Sequence, residues 1–180
     1  MKSDSNQELQ GKRNGRGSVA AKLPPFKPPM VYKSSLLAMV AGKMFLWPKD
    51  AVIFDNRVVG FAIGVPLFVT GAQVAMFAKK AFQQSNTPMM PTNHKKDDHH
   101  HESPLHISGT FAYTRNPMYL GISLGLVGAA FVSNCSWNLL FPLLNAMVMD
   151  RCFIPVEEEI LEEAYGEVYR TYKTQVRRWL

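Results

Sequence analysis

Two uncharged stretches constrain this chain more than anything else in it: Val58–Ala78, bounded by Arg57 and Lys79-Lys80, and Asn116–Met149, bounded by Arg115 and Asp150. About 20 consecutive apolar residues cross the hydrocarbon core of a bilayer. Inside it, backbone groups have no water to bond, so a single chain of this kind crosses as helices. The first stretch predicts a span over about 58–78. The second is too long for one span, and its middle, Ser133-Asn134-Cys135-Ser136-Trp137-Asn138, is polar and turn-like. It predicts a tight helical hairpin with arms at about 117–132 and 137–154. Gly121, Gly125 and Gly128 fall near one face of the first arm, where small residues let membrane helices approach closely. The expected class is an all-α membrane protein.

Charge sets the expected topology. The net charge is +6 over 180 residues, and residues 1–33 hold seven Lys/Arg against Asp4 and Glu8. This arm is rich in Gly, Ser and Asn and poor in large apolar residues, so it reads as a disordered basic arm attracted to anionic lipid headgroups. It lacks the aromatic interleaving and the motifs of a nucleic-acid binder, and no nucleic-acid partner is expected. The hairpin crosses twice, which puts the polar loop 79–115 and the tail 155–180 on one side. Lys79, Lys80, Lys95, Lys96 and Arg115 mark that side as cytosolic. A cytosolic arm then requires a further, weaker span at about 34–54, giving about four transmembrane helices and a cytosolic or interfacial helical tail. The alternative for 34–54 is an interfacial or re-entrant segment.

Cys135 and Cys152 stand at opposite ends of the expected second arm, roughly 25 Å apart at the helical rise, too far to bond. Asn134-Cys135-Ser136 matches the glycosylation sequon, yet at a hairpin tip against the membrane it is expected to stay unmodified. The N-terminus lacks the early apolar segment of a cleavable signal peptide.

Two stretches carry candidate chemistry. In Ser108-Gly109-Thr110-Phe111-Ala112-Tyr113-Thr114-Arg115-Asn116-Pro117-Met118-Tyr119, Asn116 suits a helix N-cap and Pro117 the first helical position. Arg115 and Tyr119 suit a membrane interface. In the tail, Leu161, Tyr165, Val168, Tyr172, Val176 and Trp179 recur at helical spacing beside an acidic face, with Gly166 expected to break the helix. Read separately, these are a well-capped span and an interfacial amphipathic helix.

Together they resemble the isoprenylcysteine carboxyl methyltransferase and phospholipid methyltransferase superfamily of membrane enzymes. Its pattern resembles Gly-Pro-Tyr, then Arg-His/Asn-Pro-x-Tyr into a helix hairpin, then a Glu-Glu tail. The matching residues are Gly109-Thr110-Phe111, Arg115-Asn116-Pro117-Met118-Tyr119 and Glu157-Glu158-x-x-Leu161-x-x-x-Tyr165-Gly166-x-x-Tyr169-x-x-Tyr172. The resemblance runs over roughly 58–179. It implies S-adenosylmethionine as methyl donor, bound on the cytosolic side between the two motifs. Arg115 and the Asn116, Pro117 and Met118 turn would take its carboxylate, and Glu157 and Glu158 its ammonium and ribose. Phe111, Tyr113 and Tyr119 would pack on the adenine or face the sulfonium, with Leu105 and His106 lining the pocket. Arg115 and Glu158 are the expected catalytic pair.

The resemblance also implies a lipophilic methyl acceptor. Members acting on a carboxylate tend to carry an Arg four residues before the first Glu, and that position is Phe153 here. Arg151 is the nearest basic residue and the candidate substrate contact. The run His99-His100-His101 has no i, i+4 spacing and reads as a solvated insertion rather than a metal site. Other readings are a non-catalytic membrane protein keeping the scaffold, or a membrane enzyme resembling sterol reductases. The expected compartment is the endoplasmic reticulum for a eukaryotic source and the inner membrane for a bacterial one.

Overall fold

Residues 25–46, 48, 51–84, 105 and 107–180 are described by a computed structural model, and all regular structure among them is helical. The basic arm before residue 25, the His99–His101 run and His106 lie outside the described residues.

Helix α1 runs Pro28–Ala41 and continues as a wider π-helical turn, Gly42–Leu46. Two prolines open it, where the missing N–H groups cost nothing. It therefore starts before and ends before the expected 34–54 span. Helix α2, Arg57–Gln84, runs straight through Pro66 and is longer than the 58–78 span. At 1.5 Å per residue its 28 residues extend about 42 Å against a core of about 30 Å. Lys79 and Lys80 are thus carried past the apolar section instead of ending it.

The hairpin forms as expected, with its second arm differently built. Helix α3, Pro117–Ser133, ends at Asn134, which takes the left-handed conformation at φ 47°. A 3-10 turn at Ser136–Leu139 leads into α4, Leu140–Val148, then a π turn, Met149–Phe153, and α5, Ile154–Tyr165. The helical path does not end near residue 154: Ser136–Tyr165 is one 30-residue run. Pro155 explains the π turn, since its ring would strike the carbonyl four residues back in an α-helix and a wider turn removes the clash. Gly166, at φ 54°, breaks the run as expected, and α6, Glu167–Gln175, leaves at a new angle.

That break corrects the expected apolar stripe. Tyr169 and Tyr172 are buried while Val168 is exposed, because a positive-φ residue resets the helical phase and rotates the inward face of α6.

Packing is tightest between α2 and α3. A Cβ placed on Gly121 would sit 2.5 Å from the Gly71 carbonyl oxygen, and one on Gly64 2.7 Å from that of Gly128. The two backbones touch, so side chains are excluded there. On the other side of the hairpin, α1 lays Val31, Tyr32, Leu36 and Met39 against two clusters. One holds Tyr119, Met149, Phe153 and Ile154, the other Leu126 and Ala130.

Among the described residues, two helical runs, Arg57–Gln83 and Ser136–Tyr165, are long and apolar enough to cross a membrane, and α3 is a shorter apolar helix. Only 17% of the most apolar window of α2 is buried within the protein. Its outward residues include Val58, Phe61, Ile63, Val65, Phe68, Val69, Met76 and Phe77. A soluble core helix would hide these side chains, whereas a bilayer-facing helix presents them to lipid.

The hairpin tip is pinned by Asn134. Its Oδ1 accepts from the N–H groups of Ile53 (3.1 Å) and Phe54 (2.9 Å), and its Nδ2 donates to the Phe54 carbonyl at 2.9 Å. The amide nitrogen of the sequon is thus buried and engaged. Asn134→Ala is expected to destabilise the fold by about 1–3 kcal/mol, because it strands two N–H groups and a carbonyl and puts Ala at positive φ. A thermal melt in detergent checks this, and Asn134→Gly, which relieves only the φ cost, should recover part of the loss.

Candidate functional site

The two motifs meet where α3 begins. Gly109, at φ 64°, opens a 3-10 turn, Gly109–Ala112, that turns Phe111 inward. Phe111 is buried, its ring 5.8 Å from that of Phe82, and its carbonyl accepts the Tyr172 hydroxyl at 2.7 Å. The α6 tyrosines therefore lock the loop that precedes the helix.

Asn116 and Pro117 occupy the positions expected of them, with one correction. Asn116 does not cap α3 through its side chain; its Nδ2 donates to the Arg178 carbonyl at 3.1 Å. The first turn of α3 is held instead by the C-terminal residues. The Thr114 hydroxyl donates to the same carbonyl at 3.0 Å, and the Arg115 N–H to the Arg177 carbonyl at 2.9 Å.

Arg115 and Glu158 form the centre. Their side chains are 11% and 9% exposed, with Nη2 to Oε1 at 3.0 Å. Arg115 Nη1 also donates to the Lys173 carbonyl at 3.3 Å, while its buried Nε has no hydrogen-bond partner. Next to this pair, the Tyr119 hydroxyl donates to Glu157 Oε1 at 2.5 Å. Arg115, just before α3, and Tyr119, on its first turn, thus each have an acidic counterpart on α5.

The remaining sequence candidates are distributed unevenly. Met118 is half-buried against the Tyr119–Met149–Phe153 cluster, and Leu105 is half-buried. Tyr113 is 76% exposed and Arg151 78% exposed, with Asp150 Oδ2 at 3.9 Å as its ion partner. Neither is drawn into the Arg115–Glu158 cluster. Phe153 is buried in the core with its ring 5.6 Å from Phe26, edge to face.

Three further residues belong to the cluster: Arg178, Trp179 and Asp150. Arg178 Nη2 and Nε reach the two oxygens of Glu158 at 2.8 and 3.2 Å, and its Nη1 reaches Asp150 Oδ1 at 3.2 Å. Trp179 Nε1 donates to the same Asp150 oxygen at 3.0 Å. The hydrogen bonds to Glu158 hold the Arg178 guanidinium above its ordinary pKa. Asp150 had a legible signal, as the first charge after a long uncharged stretch. Arg178 had none beyond being one of two adjacent arginines.

A model of the phospholipid methyltransferase family matches residues 59–168, more than half of the chain. The chain belongs to the phospholipid methyltransferase family. The match covers the hairpin, the Arg115–Tyr119 motif and the tail motif as far as Val168, in agreement with the resemblance to the isoprenylcysteine carboxyl methyltransferase and phospholipid methyltransferase superfamily. It stops short of Tyr169, Tyr172 and Arg178. The chain is also similar to an uncharacterised protein of Haemophilus influenzae, 36% identical over 63 residues, which is 35% of this chain and all of that protein. No solved structure matches it. This is a family of methyltransferases, and among the described residues of its member here two helices are fit to cross a membrane.

The α6 tyrosines give the site a testable alkaline limit. Burial pushes the Tyr172 phenol up to about 12 from its ordinary 10.0, and burial pushes Tyr169 up as well. A tyrosine in a detached tail ionises near its ordinary value, whereas these two stay protonated while docked. Their contribution to docking is therefore full below pH about 10 and is lost as pH rises toward 12. Tryptic release of the C-terminal residues is expected to accelerate over that window, and Tyr172→Phe should flatten the dependence.

Proposed function

We propose that this protein transfers a methyl group from S-adenosylmethionine to a lipophilic acceptor at the membrane surface. The observation that carries the reading is the contact between the two motifs: Arg115 on Glu158, and Tyr119 on Glu157, at the N-terminus of α3. The donor set fits the amino-acid end of the cofactor. Arg115 has a buried, unpaired Nε to offer a carboxylate, reinforced by the N-terminus of α3. Glu157 has a second oxygen left for an ammonium group. Phe111 and Tyr119 supply aromatic surface for an adenine or a sulfonium.

The cofactor supplies an activated methyl group. The protein's part is to orient it, exclude water and present the acceptor, since in-line displacement depends mainly on positioning. Arg115 and Glu158 fix the frame; Glu157, held by Tyr119, faces the ligand. A carboxylate acceptor would need no base, but Phe153 fills the position of the expected carboxylate-binding Arg with core side chain. That leaves Arg151, exposed beside Asp150, as the available cation for an acidic acceptor.

In this reading the 34–180 methyltransferase domain expected from the sequence extends back to Pro28, where α1 begins, and has four membrane crossings. The first is α1 with its π turn, 14 and 5 residues long. Its inward residues pack on the hairpin, and Leu37, Val40, Met44 and Phe45 face outward. The site and the basic arm then share the cytosolic side, as the Lys-rich 79–115 loop favours. The organelle follows the source, endoplasmic reticulum or bacterial inner membrane, and the basic arm meets anionic headgroups.

The test is binding of labelled S-adenosylmethionine to the full chain in detergent. Arg115→Ala and Glu157→Ala are expected to weaken binding by at least ten-fold, each removing one charge-assisted contact of about 1.5–3 kcal/mol. Absence of wild-type binding at millimolar ligand would overturn the proposal. With lipid extract added, alkali-labile label marks a methyl ester, and stable label an amine or ether. Phe153 is the feature that favours a non-catalytic scaffold protein, for which no ligand binding is expected.

A further inference from the structure

Arg177, Arg178 and Trp179 lie beyond the segment matched to the family, yet they bond directly to residues of the site. The carbonyls of Arg177 and Arg178 accept from Arg115, Thr114 and Asn116, so backbone bonds fix this strap across the start of α3. The Arg178 side chain then turns back to Glu158 and Asp150. It thereby links the turn, the acidic helix α5 and the π turn of the hairpin's second arm.

Glu158 is shared between two guanidinium groups in an unequal way. Arg178 bonds both of its oxygens, at 2.8 and 3.2 Å, whereas Arg115 bonds one, at 3.0 Å. A carboxylate and a guanidinium form their best contact as a two-pronged fork. Glu158 presents its fork to Arg178, and this leaves Arg115 with a single contact to Glu158 and a buried, unpaired Nε. If Arg178 were absent, Glu158 would be free to turn its fork onto Arg115 and consume that Nε. Burying an unmatched donor is costly, and a built site retains one where a ligand supplies the acceptor.

Resting on the S-adenosylmethionine reading above, we propose that Arg178 is a positioning residue: by occupying Glu158 it keeps Arg115 available for the carboxylate of the cofactor's amino-acid end. Asp150 and Trp179 anchor Arg178 in that orientation, with Asp150 Oδ1 3.2 Å from the guanidinium and 3.0 Å from the indole N–H. Arg178 touches no ligand in this role. It acts through the choice that Glu158 makes between two arginines.

The consequence is selective and can be read from ligand affinities. S-adenosylmethionine and S-adenosylhomocysteine carry the amino-acid carboxylate; 5′-methylthioadenosine keeps the adenosine and lacks that end. Arg178→Gln in the full chain is expected to weaken the first two by about ten-fold and leave 5′-methylthioadenosine within about two-fold, by calorimetry in detergent. Arg178→Lys keeps a cation without the fork, so it should weaken the same two ligands several-fold with the same selectivity. It serves as the test if the glutamine variant is not recovered folded. Equal weakening of all three ligands would mean a general lesion of the pocket and would overturn the proposal, as would unchanged binding of the first two. Wild-type protein that binds none of the three would overturn the cofactor reading itself, and the role of Arg178 with it.

Discussion

Glu158→Ala is expected to unseat the C-terminal strap and to lower the melting temperature in detergent by on the order of 10 °C. The side chain it removes is 9% exposed and neutralises Arg115, itself 11% exposed, together with Arg178. Its loss leaves the nearly buried Arg115 guanidinium without its carboxylate and Arg178 with Asp150 alone. Breaking a buried ion pair from one side costs about 3–5 kcal/mol, well above the worth of an exposed pair. For a chain of this length each kcal/mol shifts the midpoint by about 2–4 °C. The exposed pair of Arg170 with Glu167 is the internal comparison. Glu167→Ala should move the midpoint by at most about 2 °C, because solvent screens that contact. Thermal melts with tryptic mapping at Arg177 and Arg178 check both outcomes. An unchanged melt and a protected tail in Glu158→Ala would show that the strap is held by its backbone bonds alone.

Gly121→Leu should disrupt the packing of α3 on α2. The new Cβ alone would stand 2.5 Å from the Gly71 oxygen and 2.6 Å from the Ala75 nitrogen, both backbone atoms that no rotamer change can move. Helices α2 and α3 must then separate, and membrane helices hold together largely through such close packing. Overpacking costs about 1–3 kcal/mol where side chains can adjust, and here they cannot. The expected result is loss of a monodisperse peak in detergent. Gly125→Ala provides the contrast. A Cβ there meets nothing within 4 Å, and Ala is the better helix former by about 1 kcal/mol. That variant should melt at or above the wild-type midpoint. If both substitutions behave alike, the α2–α3 contact does not depend on backbone approach.

The features legible in the sequence were those set by local composition. Runs without charge located α2 and the hairpin, since hydrocarbon tolerates few charges at any position along them. Gly121 and Gly128 marked the close face of α3, and Gly166 the break before α6, because only small or Cβ-free residues meet those demands. The pairing of Arg115 with the Glu157-Glu158 dipeptide was implied by the resemblance that the two motifs carry to the methyltransferase superfamily. By contrast, the expected 34–54 span was drawn past Pro48, whereas the helical path of α1 and its π turn ends at Leu46. The unbroken run from Ser136 to Tyr165 was obscured by Pro155, which looks like a stop in a string, and a π turn lets the chain pass it without ending the helix.

The sequence by itself determined the class of this protein, an all-helical member of a membrane methyltransferase family, and the two residue groups that define its candidate site. The helical class follows from residue type and short-range spacing, and the family and the site groups from the resemblance that the two motifs carry. Tertiary structure alone decided how the Arg115–Asn116–Pro117–Met118–Tyr119 turn is completed. Asn116 binds the Arg178 carbonyl rather than its own helix, and Glu158 is divided between Arg115 and Arg178. Partners 20 and 62 residues apart carry no spacing signal. Their meeting depends on the angle at Gly166 and on the path of the chain after α6, which only the folded molecule fixes.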